Sequence, residues 1–166
     1  MKNEGHPFKG FLYIGLMIVN NDPYVIEFNV RLGDPETQVL LPLINSSVFD
    51  MILSSINGCV DKYDIELSSK YAVTVVLAAD GYPGKYSKGM EICGLDGIKK
   101  DIVFHAGTCI KGNKIYSSGG RVLNVVAIGD DLKSSISKVY QLIDKIKFDK
   151  MYYRKDIGFK AFKYLI

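Results

Sequence analysis

Residues 25–38 read VIEFNVRLGDPETQ. Side chains alternate along a strand, which puts Val25, Glu27, Asn29 and Arg31 on one face and Tyr24, Ile26, Phe28, Val30 and Leu32 on the other. The second face is uniformly apolar and is expected to be core. The first carries a carboxylate and an amide about 7 Å apart, from a rise of about 3.3 Å per residue. Mg²⁺ takes oxygen ligands and is often held by one or two protein groups plus substrate phosphates, so Glu27 and Asn29 suit it. Arg31, one step on, suits a phosphate or carboxylate met in fork geometry. The plainer reading is a half-exposed strand whose polar face meets water, and the pattern leaves both standing. In the turn that follows, Asp34 fits a helix N-cap and Pro35 the first helical position. The free N–H groups of such a helix start make an anion site.

Upstream, FLYIGLMIV at 11–19 is an apolar run closed by the turn residues NNDP, so the opening reads as a β-hairpin. Downstream, Pro42 keeps the helix after Pro35 short. A second helix is expected from Ser46 to Asn57, with Val48, Met51, Ile52 and Ile56 at helical spacing and Gly58 just past its end. Composition turns polar through GCVDKYDIELSSK, which divides the chain into residues 1–60 and 61–166. YAVTVVLAA predicts a strand covered on both faces. DGYPGKYSKG is a loop; its GYPGK has the wrong spacing for a phosphate loop and reads as a surface turn. DIVFHAGTCI and RVLNVVAIG read as strands, separated by the turn, short strand and glycine pair of KGNKIYSSGG. From Asp130 or Asp131 a helix carries Leu132, Ile136, Val139, Tyr140, Ile143 and Ile146 on one stripe, and a last short helix ends the chain. The fold class is α+β: a hairpin with helices, then a mostly antiparallel β unit with one long amphipathic helix.

The chain has 166 residues, a net charge of +3 and 48% apolar residues, enough for one sizeable core or two small ones. The charge is mild and dispersed, and the Lys99-Lys100 pair reads as a solvated loop, so no nucleic-acid partner is expected. Cys59, Cys93 and Cys109 are odd in number and far apart, as in reduced thiols of a cytosolic protein. With His6 and His105 as the only histidines, zinc is disfavoured. Cys109 lies four residues after His105; on one strand the two point the same way without touching, which argues against a Cys–His nucleophile. No apolar run approaches a membrane span, no phosphate-loop motif is present, and nothing supports Ser-His-Asp chemistry.

The blocks GFLYIGLMIVNNDPYVIEFNVRLGDPETQ, GYPGKYSKG, VFHAGT, GGRVLNVVAIGDDL and YYRKDIG follow one another in order over nearly the whole chain. Together they resemble the phosphoribosylamine–glycine ligase (glycinamide ribonucleotide synthetase) family. The resemblance implies the end of an ATP-grasp domain followed by the family's C-terminal domain. It also implies a cytoplasmic reaction of de novo purine synthesis, in which ATP phosphorylates glycine and 5-phosphoribosylamine attacks the glycyl phosphate, releasing ADP and phosphate. By the same resemblance Glu27 and Asn29 are ligands of Mg²⁺ or Mn²⁺, Arg31 meets the acyl phosphate or a substrate anion, and Asp34 lies near the glycine amine. Lys155 is a substrate contact within Arg154-Lys155-Asp156. His105, Arg121 and Asp156 also fall in family motifs, where a structural role serves equally well: Arg121 as a turn brace, Lys155–Asp156 as a local ion pair.

That family begins with an amino-terminal domain and the larger part of the ATP-grasp fold, including the adenine pocket. Residues 1–166 are expected to be its C-terminal portion, inactive alone, with the N-terminal half of the enzyme as partner. Two other readings remain. One is a stand-alone interaction module using the apolar hairpin; the other is an ATP-grasp carboxylate ligase with a different amine.

Overall fold

The computed structural model describes residues 1–98 and 101–164, so the Lys99-Lys100 pair lies outside the described residues. The chain divides into two compact units, Met1–Ser68 and Ser69–Ile166.

The first unit opens with the expected hairpin. Strand β1 (Tyr13–Val19) pairs antiparallel with β2 (Asp22–Asn29) in a two-stranded sheet. Asn20 and Asn21 make the turn at φ 52° and 67°, the left-handed pair that a tight hairpin needs and that asparagine tolerates. Strict alternation fails in β2. Gly15 is registered with Glu27 but Leu16 with Val25, so Ile26 is an extra residue in a β-bulge. Residues before the bulge trade faces: Tyr24, paired with Met17, joins the side of Glu27, and Val25, paired with Leu16, leaves it.

The expected core face is not buried in this chain. Ile14, paired with Phe28, stands 45% exposed, Phe28 62%, Ile26 63% and Val30 75%. A two-stranded sheet has no second layer of its own, so its apolar side stays open unless another element covers it.

The helix after the hairpin also differs from expectation. The Asp34–Pro35 peptide is cis and helix α1 spans only Thr37–Leu40, with Glu36 rather than Asp34 at its N-cap. The Asp34 carboxylate instead accepts from the Gln38 side-chain amide at 3.0 Å. A 3-10 turn, Leu41–Leu43, follows directly and contains Pro42, so the segment is as short as that proline requires. Helix α2 (Val48–Asn57) is capped by Ser47, whose hydroxyl accepts from the Asp50 N–H at 3.2 Å. It ends at Gly58, which takes a left-handed φ of 71°.

The second unit is built on a four-stranded sheet in the order β5 (Ile102–His105), β8 (Arg121–Gly129), β3 (Tyr71–Ala79), β9 (Met151–Tyr152) and a three-stranded sheet in the order β4 (Glu91–Ile92), β7 (Lys114–Ser117), β6 (Thr108–Lys111). Strand β3 (Tyr71–Ala79) and strand β8 (Arg121–Gly129) run antiparallel at its centre. Their side chains Val73, Val75, Leu77, Leu123, Val125 and Ala127 are buried in one cluster with Leu132, Ile136, Val139 and Ile143 of helix α3 (Leu132–Ile143). Ile146, expected on the helical stripe, joins the same core from beyond the helix end. The continuous apolar run of β3 predicts burial on both faces; here Ala72, Thr74 and Val76, on the face away from that cluster, are half-buried. Asp131 caps α3 in a reciprocal box with Ser134, accepting from its N–H at 2.7 Å.

DIVFHAGTCI is two strands, not one. Strand β5 (Ile102–His105) pairs with β8, whereas β6 (Thr108–Lys111) pairs with β7 (Lys114–Ser117) in the other sheet. The break falls at Gly107, where a Cβ would stand 2.5 Å from the Gly119 Cα and 2.6 Å from the Arg121 carbonyl oxygen. Two backbones meet there, and the chain changes sheets. The short strands β4 (Glu91–Ile92) and β9 (Met151–Tyr152) complete the sheets, and a 3-10 segment, Phe159–Tyr164, stands where the last helix is expected. Cys59, Cys93 and Cys109 are free thiols. No helix among the described residues is long and apolar enough to cross a membrane.

Candidate functional site

The hairpin ladder fixes which side chains can act together. Tyr13 is registered with Asn29 and Gly15 with Glu27, and residues directly opposite in a ladder share a face. Glu27 and Asn29 therefore stand on the same side of the sheet, with Tyr13 and Gly15 across from them. Gly15 gives Glu27 its room: a Cβ at position 15 would lie 3.1 Å from the Glu27 Cγ.

Just past the strand, the turn folds a second carboxylate back. The Glu36 side chain lies over Gly33, where any Cβ would collide with it, and the Tyr13 ring closes on the same position at 3.2 Å. Partial burial raises the Tyr13 pKa above the ordinary phenol value, and the negative charges of Glu36 and Glu27 push it further the same way. The phenol is thus a protonated donor at neutral pH. Tyr13 and Glu36 escaped the reading of the sequence. Pairing Tyr13 with Asn29 needs the hairpin register, and bringing Glu36 back needs the turn at Gly33. The one available signal was that Tyr13 and Gly15 alternate on β1 as Glu27 and Asn29 do on β2.

The remaining candidates sit as follows. Arg31 lies beyond the end of β2, exposed, and its Nη1 donates to the Leu32 carbonyl at 2.8 Å, so its fork is turned onto its own chain. Asp34 is exposed beside Gln38. The expected anion site at the start of α1 is absent. Among the turn N–H groups, Thr37 donates to the Gly33 carbonyl, Gln38 to Pro35, and Val39 and Leu40 to Glu36, and a four-residue helix offers no free N-terminal turn.

Lys155 belongs to the second unit and is exposed. The local ion pair there is not Lys155–Asp156. Arg154 instead grips Asp156 in fork geometry, Nε to Oδ1 at 2.9 Å and Nη2 to Oδ2 at 2.7 Å. That hydrogen bonding holds the Asp156 carboxyl below and the Arg154 guanidinium above its usual value. Arg is preferred over its lysine neighbour because its planar fork matches both carboxylate oxygens. His105 Nδ1 meets Thr108 Oγ1 at 3.0 Å, and Cys109 pairs with Tyr116 in the other sheet. His105 and Cys109 therefore lie on different strands, so the alternation argument does not apply to them. Arg121 opens β8, and its carbonyl accepts from the Gly107 N–H at 2.8 Å.

The oxygen donors of the hairpin fit a hard divalent cation held partly by other ligands. The Glu27 and Asn29 side chains make no hydrogen bond or ion pair with a described residue, and they share one face. No cluster of three or more His, Cys, Asp or Glu side chains that could hold a metal by itself occurs among the described residues. Two protein oxygens with several positions left to phosphates and water is the pattern of Mg²⁺.

Two family models match the chain: the phosphoribosylglycinamide synthetase C domain over residues 72–160, and the ATP-grasp (A) domain of the same synthetase over residues 1–37. A phosphoribosylamine–glycine ligase from Caldanaerobacter subterraneus is 47% identical over 95% of this chain, which spans 38% of that protein. The human trifunctional purine biosynthetic protein adenosine-3 is 44% identical over 99% of the chain, which spans 17% of it. A crystal structure of phosphoribosylamine–glycine ligase from Thermotoga maritima superposes with a TM-score of 0.82 at 39% identity, covering 93% of this chain and 38% of that one. The chain thus spans well under half the length of these relatives. Since the C-domain match alone covers more than half of its residues, the chain belongs to the phosphoribosylglycinamide synthetase family.

Proposed function

We propose that this chain is the C-terminal part of an ATP-dependent carboxylate–amine ligase that joins glycine to 5-phosphoribosylamine in cytoplasmic de novo purine synthesis. In this reading residues 1–60 end the ATP-grasp domain and residues 61–166 form the C domain. The carrying observation is the ladder register that sets Glu27 and Asn29 on one face with their oxygens unengaged. Those two side chains would hold Mg²⁺ or Mn²⁺, which when bound offsets charge on the ATP phosphates. Arg31, released from the Leu32 carbonyl, would reach the acyl phosphate, Asp34 the glycine ammonium, and Lys155 a substrate anion. Positioning and electrostatics dominate phosphoryl transfer, so the two metal ligands act only together with the rest of an ATP-grasp fold.

The test is reconstitution. Residues 1–166 are combined with the N-terminal part of a relative, and formation of glycinamide ribonucleotide from ATP, glycine and 5-phosphoribosylamine is followed. Activity that needs all three substrates and disappears with Glu27→Gln is expected. A well-folded, associated pair that makes no product from them counts against this reading, and turnover with another amine would point to a different ATP-grasp ligase.

One observation favours a second reading, a non-catalytic interaction module: the open apolar side of the hairpin, with Ile14, Ile26 and Phe28 each 45% or more exposed. Concentration-dependent association in sedimentation, indifferent to nucleotide and without activity on reconstitution, is its signature.

A further inference from the structure

Away from the hairpin, Tyr140 of α3 is half-buried against the core of the second unit, and its phenol reaches past the helix to a separate segment. The hydroxyl donates to the Arg154 carbonyl at 2.9 Å and accepts from the Ile157 N–H at 3.1 Å. One hydroxyl has both a hydrogen and lone pairs to offer, so a single side chain brackets Lys155 and Asp156 from both ends. Before the bracket, the Tyr153 ring lies against the Tyr140 ring, centroids 6.3 Å apart. After it, Gly158 turns at φ 84°, and a Cβ there would stand 2.8 Å from the Ile136 Cδ1. Ile136 lies one helical turn before Tyr140, so both contacts come from one face of α3. Residues 153–158 form neither strand nor helix, yet that face fixes them at both ends.

An exposed lysine without a partner is ordinary, and Lys155 is one. What surrounds it is not ordinary. Asp156 follows it directly and is the nearest carboxylate in sequence. Arg154 occupies both oxygens of that carboxylate, at 2.9 Å and 2.7 Å, so the lysine is not neutralised within its own loop. Two cations and one carboxylate leave a positive charge over, and it sits on the unengaged ammonium.

We infer that Tyr140 is a positioning residue for Lys155: its hydroxyl, through the Arg154 carbonyl and the Ile157 N–H, sets the loop from which the ammonium meets a substrate phosphate or carboxylate. This rests on the reading that Lys155 serves a substrate anion, and adds the residue that holds it ready. A lysine side chain has much rotamer freedom, and a mobile backbone beneath it multiplies the arrangements from which binding must select. The Tyr140 bracket removes the backbone share of that disorder before the anion arrives. The effect therefore falls on substrate binding and not on the chemical step.

The experiment is a double-mutant cycle in the reconstituted enzyme. Tyr140→Phe keeps the ring against Tyr153 and removes only the hydroxyl. It is expected to raise the KM of one anionic substrate about five-fold with little change in kcat, a size common for residues coupled in one network. KM is measured for 5-phosphoribosylamine and for glycine, and the substrate that responds identifies the anion. Lys155→Met raises the KM of the same substrate, and Tyr140→Phe added to it has no further effect; a purely structural tyrosine would act equally in both backgrounds. In the 166-residue chain by itself, Tyr140→Phe speeds hydrogen exchange at the Ile157 N–H and leaves the β8 amides unchanged. With an active wild type, an unaltered KM in Tyr140→Phe, an unaltered KM in Lys155→Met, or equal effects of Tyr140→Phe in the two backgrounds each overturn the inference and leave the ligase reading standing. Unaltered exchange at Ile157 overturns it without any turnover being needed. A folded, associated wild-type pair that makes no product removes the ligase reading, and this inference falls with it.

Discussion

Tyr13 stands directly across the ladder from Asn29, and its phenol is held above its ordinary pKa by partial burial first and by the neighbouring Glu36 carboxylate second. The turn after the strand thereby bears on the face that carries the metal-ligand candidates. Tyr13→Phe removes the hydroxyl without changing the strand. In the reconstituted enzyme, Mn²⁺ affinity measured by electron paramagnetic resonance is expected to fall about ten-fold, the low end of what partners of metal ligands contribute. The melting temperature of the 166-residue chain should hardly move. A large drop in melting temperature with unchanged Mn²⁺ binding would make the tyrosine a purely structural brace.

The raised phenol has a pH signature. Tyr13 has its folded-state pKa raised, so its contribution to stability is complete below the unfolded phenol value and is lost as pH rises through the higher folded value. Wild type and Tyr13→Phe should therefore converge in stability only at strongly alkaline pH. Chemical denaturation across neutral to alkaline pH measures it; convergence already at neutral pH would contradict a protonated donor.

Glu27→Gln keeps the shape and removes the charge. At an exposed position making no hydrogen bond or ion pair with a described residue, it should change stability by less than about 0.5 kcal/mol. The turnover number of the reconstituted ligase should fall about a hundred-fold or more, as when one group stabilising transition-state charge is lost. Comparable activity in wild type and variant would remove Glu27 from the site.

How much of this was legible depends on the range of the interaction. Gly58 ends α2 and Asp131 starts α3 as the sequence suggests, because such a boundary is decided within a few residues. The Glu27–Asn29 pairing was legible because both follow the bulge, where alternation is intact. Tyr24 and Val25 were assigned to the wrong faces because one extra residue, Ile26, shifts everything before it, and no local pattern marks that bulge. Gly107 was read as an interior strand residue because its partner, Gly119, lies twelve positions away and only the folded chain brings their backbones together. The hairpin's apolar side read as core because periodicity reports that a face is apolar, not what covers it.

Asp131 offers an acid-limb test in the second unit. Its carboxyl is held below the ordinary aspartate range, chiefly by the backbone N–H of Ser134 at the N-terminus of α3. A depressed folded pKa contributes stability above the unfolded value and loses it as pH falls through the folded one. Asp131→Ala should therefore destabilise the chain at neutral pH and flatten its acid limb, while Asp131→Asn, which still caps, should flatten the limb at a smaller neutral cost. An unchanged acid limb in both variants would separate the cap from the pH dependence.

Gly107→Ala tests the place where the chain changes sheets. The added methyl would meet the Gly119 Cα at 2.5 Å and the Arg121 carbonyl oxygen at 2.6 Å, contacts that no side-chain rotation relieves because both belong to backbone. Three hydrogen bonds converge on the same spot, from the Gly107 N–H to the Arg121 carbonyl at 2.8 Å and to the Gly107 carbonyl from the Ser118 N–H at 2.7 Å and the Gly119 N–H at 3.2 Å. Moving one strand away to make room would strain all three. The expected loss is about 3 kcal/mol, at the upper end for overpacking, read from urea denaturation. Gly112→Ala is the control: a Cβ there meets nothing within 4 Å, and its φ of 61° carries only the left-handed penalty, about 1 kcal/mol. Equal losses at the two positions would mean that backbone conformation, not the close approach of two strands, makes glycine necessary at 107.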